Sequence, residues 1–221
     1  MSLNTKQQLK CPGCGQLQDM IVWNSITVSD SPDLKTDLLS GKVNIFRCPS
    51  CSQVGLMPTP LLYHDEEKHL MISFTPCEDP LLGLQLFDNM RQASKDSGEL
   101  EKYEDYNLRF VTNYNELLEK ILIFDAGYSD KAVEVLKLMI LMQDPEKADQ
   151  RTCMFGKSTP EGLEFMVQDK KEGQIYTSTV PKDTYELIST QLRQSGVKFY
   201  SFDWEMVNAE YASKLLNGFH N

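Results

Sequence analysis

The sequence predicts an α+β fold: an N-terminal zinc ribbon with rubredoxin-like knuckles, a β-hairpin, a helical middle and a small C-terminal α+β unit. Three observations carry this. Two Cys-Pro-x-Cys turns stand at Cys11–Cys14 and Cys48–Cys51 beside short alternating runs. Residues 115–143 hold two successive helical patterns, and residues 163–192 read as a hairpin followed by a helix. The composition agrees with a globular chain. Of 221 residues 41% are hydrophobic and 24% charged, which excludes disordered, collagen-like and disulfide-miniprotein classes.

The N-terminal decapeptide is polar and lacks the apolar stretch of a signal peptide, so export is not expected and the location is read as cytoplasmic. Ser2 and Leu3 carry no weight in this reading. In a reducing compartment paired Cys-x-x-Cys motifs hold metal more often than disulfides. In Cys11-Pro12-Gly13-Cys14-Gly15 and Cys48-Pro49-Ser50-Cys51 the proline pre-sets a tight turn. That turn aims both sulfurs at one point, with backbone amides free to donate to them. Together the two turns offer Cys11, Cys14, Cys48 and Cys51 as a closed tetrahedral set for one structural Zn²⁺ per chain. Iron is compatible with the same four sulfurs. Cys51 is followed by Ser52, where a second glycine would make the turn more regular.

A thiol-redox reading of Cys-Pro-Gly-Cys needs the motif to follow a strand and open a helix. Here the first motif follows a polar segment and precedes a strand, and the motif occurs twice. The 33 residues from Gly15 to Arg47 exceed the simplest ribbon spacing. Met20–Val28 alternates as a strand, Val43, Ile45 and Phe46 lead back as another, and Ser29–Gly41 is an insertion with a helical turn at Asp33–Leu39. Cys77 and Cys153 stand alone and read as small buried apolar residues.

A hairpin tip is expected at Tyr63-His64-Asp65, ahead of Ile72–Pro76. His64, Glu66, Glu67 and His69 lack the His-Glu-x-x-His spacing of a metal helix and read as a solvated turn. Helices are expected across residues 80–145. The acidic stretch Asp96–Tyr106 reads as an exposed connector into a strand at Leu108–Thr112.

In the helical region Leu117, Leu118, Ile121, Leu122 and Phe124 make an apolar face beside Glu116, Glu119 and Lys120. Gly127 is placed to stop that helix and Ser129 to cap the next, from about Asp130 to Gln143. The second helix is apolar on nearly every side, which fits a core helix or a homodimer seam. Its apolar block is far too short to span a bilayer.

The run NELLEKILIFDAGYSDKAVEVLK at Asn115–Lys137, with the two Cys-Pro-x-Cys turns, resembles the CpXC family of bacterial and archaeal proteins. The resemblance covers about residues 8–144. It implies metal binding by Cys11, Cys14, Cys48 and Cys51 and, because that family has no assigned function, no activity. On this basis residues 1–146 form a CpXC-like zinc-ribbon plus helical domain and residues 150–221 a C-terminal α+β unit.

In the latter, Leu163–Gln168 and Gln174–Val180 flank a turn, and Asp183 with Glu186 form a capping-box pattern before Tyr185, Ile188 and Leu192. A strand at Lys198–Phe202 and a helix from about Trp204 to Leu216 complete a ββαβα order. Gly156-Lys157-Ser158 lacks the upstream glycine of a phosphate loop, since Arg151 holds that place.

The formal net charge is -10, and residues 61–149 hold nine basic against nineteen acidic side chains. Such a balance disfavours nucleic-acid backbones and anionic membranes, which need clustered cations. The ribbon carries five basic and four acidic side chains, so four thiolates and one Zn²⁺ bring it to about -1. The function read from these features is a zinc-stabilised, non-catalytic protein-binding or adaptor module that forms a homodimer. The alternatives are a nucleic-acid-binding zinc ribbon, or an enzyme whose site the sequence does not display.

Overall fold

A computed structural model describes residues 1–201 and 203–218 and shows a mixed α+β fold. The chain divides into two compact units. The first comprises Met1–Leu118 with Asp203 and Trp204, the second Glu119–Ser201 and the described residues from Glu205 onward. The division falls within a helix, earlier in the chain than the interval between residues 146 and 150.

The first unit is built on a five-stranded sheet in the order β1-β2-β5-β6-β7. Its first strand, β1 (Leu3–Lys10), pairs antiparallel with β2 (Leu17–Thr27), from Leu3↔Ser25 to Lys10↔Leu17. β1 is a strand where the sequence reading found only a polar segment, so the first Cys-Pro-x-Cys motif does follow a strand, though it opens no helix. Seven of its eight residues are exposed, so it has no buried side to produce apolar alternation, and main-chain pairing alone makes it a strand. Helix α1 (Pro32–Leu39) occupies the expected insertion and buries Leu38. Two three-residue strands, β3 (Ile45–Arg47) and β4 (Val54–Leu56), form a separate antiparallel pair.

β5 (Leu61–Asp65) then pairs parallel with β2 and antiparallel with β6 (Leu70–Phe74). Tyr63, His64 and Asp65 therefore lie in a strand, and the hairpin tip is Glu66–His69. Asp79 caps helix α2 (Pro80–Ser97) by accepting from the amides of Leu81 and Leu82, and Gly98 ends it with φ 68°. β7 (Asn107–Val111) returns parallel to β6 with all five residues buried. The acidic stretch before it is exposed only in part. It begins as the end of α2 and continues as a 3₁₀ turn at Glu99–Tyr103, and its Leu100, Tyr103 and Tyr106 pack with Phe87 and Met90 against Met71, Leu108 and Trp204.

Helix α3 (Tyr114–Asp125) ends before Gly127, whose φ is 78°. Helix α4 (Asp130–Leu141) is the centre of the second unit. Its Ala132, Val133, Val135, Leu136 and Ile140 join a core with Ile123, Phe155, Leu163, Phe165, Val167, Tyr185, Leu192 and Ala212. The cover that this helix needs is thus supplied within the chain, so its apolar circumference no longer calls for a second copy. Ser129 holds the N-cap position but its hydroxyl makes no capping bond; the Ser129 amide instead donates to the Tyr185 hydroxyl at 2.9 Å.

Glu119 and Lys120 face inward. Lys120 Nζ lies 3.2 Å from Asp130 and 3.0 Å from Glu134, and Lys137 Nζ lies 2.8 Å from Glu119 and 3.0 Å from Glu134. Burial opposes charge on Lys120, but Glu134 and Asp130 outweigh it and hold the ammonium above its ordinary pKa. Glu119 also accepts the Phe155 amide at 2.6 Å.

The rest of the second unit is a three-stranded antiparallel sheet, β10-β9-β8, with two helices. β8 (Arg151–Ser158) was not anticipated, while β9 (Leu163–Asp169) and β10 (Ile175–Val180) form the expected hairpin. Helix α5 (Lys182–Gln194) starts at an N-cap of Pro181 with no side-chain cap, so Asp183 sits inside the first turn and no capping box forms. Residues 198–201 are not a strand, and position 202 lies outside the described residues. Helix α6 is Ala209–Gly218; Trp204 precedes it as a buried residue rather than starting it. Among the described residues no helix is long and apolar enough to cross a membrane.

Candidate metal centre

Each Cys-Pro-x-Cys motif is the turn of its own hairpin, the first joining β1 to β2 and the second joining β3 to β4. The two turns are built alike. Cys11 N donates to Gln16 O at 2.9 Å and Cys48 N to Gln53 O at 2.8 Å, closing each hairpin at its first cysteine. The turn amides then point at sulfur: the Gly13 amide lies 3.4 Å from Cys11 Sγ, and the amides of Cys51 and Ser50 donate to Cys48.

The two turns face one another. Cys11 Sγ is 3.5 Å from Cys51 Sγ, Cys14 Sγ is 3.5 Å from Cys48 Sγ, and all four sulfurs lie within 4.8 Å of one another. A tetrahedral ion bound at about 2.3 Å by four thiolates places its sulfurs about 3.8 Å apart, so the four fit such an ion. Among the described residues this is the one group of three or more His, Cys, Asp or Glu side chains placed to hold a metal.

The electrostatics show what a cation would do here. Burial opposes ionisation of Cys48, but the amides of Cys51 and Ser50 and the thiols of Cys14 and Cys11 bring its pKa down to about 6. At Cys51 the amide of Gln53 favours the thiolate, yet the Cys11 sulfur, burial and the two remaining cysteines push the pKa up to about 12. Packed this closely, the sulfurs compete for negative charge. A divalent ion removes that competition and lets all four ionise.

The sulfurs rest on an apolar floor. Cys11 and Cys48 are buried with Phe46, and Leu9, Met20 and Met57 pack against them, whereas Cys14 and Cys51 face outward. Asn44 is a positioning residue that the sequence reading missed. It is buried, has φ 54°, and its amide side chain donates to Trp23 O and accepts from Trp23 N, both at 2.8 Å. It thereby fastens the approach to β3 onto β2. Its signal in the sequence was slight: an asparagine tolerates a left-handed conformation just before a strand.

The remaining candidates do not converge on a second centre. His64 Nε2 lies 3.2 Å from the Tyr106 hydroxyl, while His69 stacks on Tyr106 and pairs with Asp105 at 2.7 Å. Cys77 is half-buried with its thiol 3.2 Å from Asp79 O, and burial first of all pushes the Cys153 thiol up to about 12, as suits a core residue. Gly156, Lys157 and Ser158 lie within β8, beside a bulge.

In comparison with known proteins, a family model described as CpXC protein matches residues 9–137, a span that contains both knuckles and α3. No curated protein matches the chain, and no solved structure does.

Proposed function

Because the chain belongs to the CpXC family, we propose that its four cysteines hold one structural Zn²⁺ and that the protein is a cytoplasmic, non-catalytic protein-binding or adaptor module. The observation that carries this reading is the convergence of Cys11, Cys14, Cys48 and Cys51 within 4.8 Å. Four sulfur ligands complete a tetrahedron and leave no open position for a water or substrate, which is the structural rather than the catalytic type of zinc site. When bound, the ion supplies charge for four thiolates and a cross-link between two hairpins; the knuckle amides orient the sulfurs, and Phe46 and its neighbours keep water from the inner side.

The test has two arms. Elemental analysis of protein purified with ample zinc, trace iron and reductant is expected to give about one zinc per chain. Iron in that place, or a Cys11–Cys14 disulfide in the native protein, overturns the zinc assignment. Capture of partners from the native host, with zinc-depleted protein as control, is expected to recover a protein that depends on the intact ribbon. Tight, salt-sensitive retention of DNA or RNA in a filter-binding assay would replace the adaptor reading with a nucleic-acid one.

A further inference from the structure

Within one Cys-Pro-x-Cys turn the two sulfurs differ in access. Cys11 and Cys48, the first of each turn, are 2% and 3% exposed, while Cys14 and Cys51 face solvent. Each outward sulfur lies against the inward sulfur of the other turn: Cys14 Sγ is 3.5 Å from Cys48 Sγ, and Cys51 Sγ is 3.5 Å from Cys11 Sγ. Both pairs therefore join a thiol that solvent reaches to one that it does not, on opposite hairpins. Accessible thiolates beside a second cysteine are the ones that peroxides oxidise reversibly.

We infer that the four-cysteine centre is an oxidation site whose disulfides form across the turns, Cys14 with Cys48 and Cys11 with Cys51, and that the two bonds together discharge the bound ion while keeping both hairpins tied. Release of the ion rests on the zinc reading proposed above; the pairing does not. The oxidant is hydrogen peroxide. The Cys14 thiolate attacks one oxygen of the O–O bond, becomes a sulfenic acid and sets free a hydroxide ion. The Cys48 thiolate then attacks the sulfenic sulfur, which forms the S–S bond and expels a second hydroxide. Two sulfurs have lost two electrons, and one peroxide has been reduced to two hydroxide ions. Cys51 and Cys11 repeat the sequence with a second peroxide. Each bond removes two ligands, so no thiolate is left to hold the ion.

The local structure favours this pairing over bonds within the motifs. Each cross-turn pair has to close by about 1.5 Å to reach a disulfide. A bond within one turn instead has to draw Cys11 or Cys48 off the floor that it shares with Phe46, or draw the outward sulfur in. Neither motif opens a helix, the setting in which a Cys-x-x-Cys pair cycles as a dithiol.

Tryptic digestion of the zinc-loaded full chain tests this. Trypsin cuts after Lys10, Lys35, Lys42, Arg47 and Lys68, so one peptide runs from Cys11 to Lys35 and another from Cys48 to Lys68. The protein is treated with hydrogen peroxide, its remaining thiols are blocked, and it is digested without reductant while a chromophoric chelator reads released zinc. Zinc is expected to leave in step with the loss of thiols, and the two peptides to appear as one joined species whose fragmentation pairs Cys14 with Cys48. Separate peptides, each closed within its own motif, or a joined species that pairs Cys11 with Cys48, overturn the inference. So does a centre that keeps its zinc and its thiols, or one that ends in sulfonic acids without disulfides. A chain that holds no zinc at the outset removes the metal reading instead, and the same digest of the reduced, metal-free protein still decides the pairing.

Discussion

Gly15 and Ser52 hold the same place in the two knuckles. Each follows the second cysteine of its motif, with φ 75° and 60°, and each donates its amide to the carbonyl of the first cysteine, Cys11 or Cys48, at 2.9 Å. Glycine takes that left-handed conformation freely, whereas a residue with a Cβ is strained there by about 1–2 kcal/mol. Ser52→Gly is therefore expected to raise stability by up to about 1 kcal/mol after the greater freedom of glycine in the unfolded chain is set against the relief. Gly15→Ser should lower it by a similar amount. Urea unfolding of zinc-loaded protein reads both, and equal destabilisation by the two changes would refute the equivalence of the turns.

Cys48→Ala removes a buried sulfur at the inner side of the centre. Structural zinc sites contribute on the order of 10 kcal/mol to the folding of small domains. The variant is expected to lose its metal on dialysis and to lose hydrogen-exchange protection in the ribbon, while α4 and the β8–β10 sheet stay protected. Retention of one tightly held zinc would show that three cysteines suffice.

Lys120 and Lys42 should differ sharply in how much their loss matters. Lys120→Met leaves Asp130 and Glu134 short of a cation in a site where all three side chains are at most 3% exposed, and is expected to cost about 3–5 kcal/mol. Lys42→Ala breaks a pair with Asp37 of similar length, 2.9 Å, but at the surface, and should change stability by less than about 1 kcal/mol. Chemical denaturation at neutral pH compares them.

Burial lowers the pKa of His64 below its ordinary 6.5, against the opposing pull of Glu66 and Asp65. The folded protein thus prefers the neutral ring, and the unfolded chain takes up the proton first as pH falls. This contribution is complete above 6.5 and declines below it. The urea midpoint of the wild type, taken relative to His64→Gln so that acid loss of metal cancels, should fall between pH 7 and pH 5. A flat difference would remove His64 as the cause.

The cluster of four cysteines was legible because a Cys-Pro-x-Cys turn carries its local geometry in four consecutive residues. α3, α4, α5 and the β9–β10 hairpin were legible from periodicity and turn residues. β1 was not, because a strand exposed on both sides has no alternation to read. The inward turn of Glu119 and Lys120 was hidden for a different reason: only the fold brings Asp130, Glu134 and Lys137 to them, and charged residues otherwise signal solvent. The helix start at Trp204 failed because the indole is held in the packing around Leu108, and the chain becomes helical only at Ala209.

The path of the chain between β2 and β5 also bears on the order in which the protein folds. These strands are parallel neighbours, and the 33 residues from Val28 to Pro60 that join them contain α1 and the whole second knuckle. Closing a flexible loop of that length costs about 3 kcal/mol of chain entropy before any strand pairing repays it. A cation held first by Cys11 and Cys14, at the tip of a local hairpin, can capture Cys48 and Cys51 partway along the loop and divide one long closure into two shorter ones. An ion bound there would act as a splint during assembly, and a chain without it would face the slower search of a fold with high contact order.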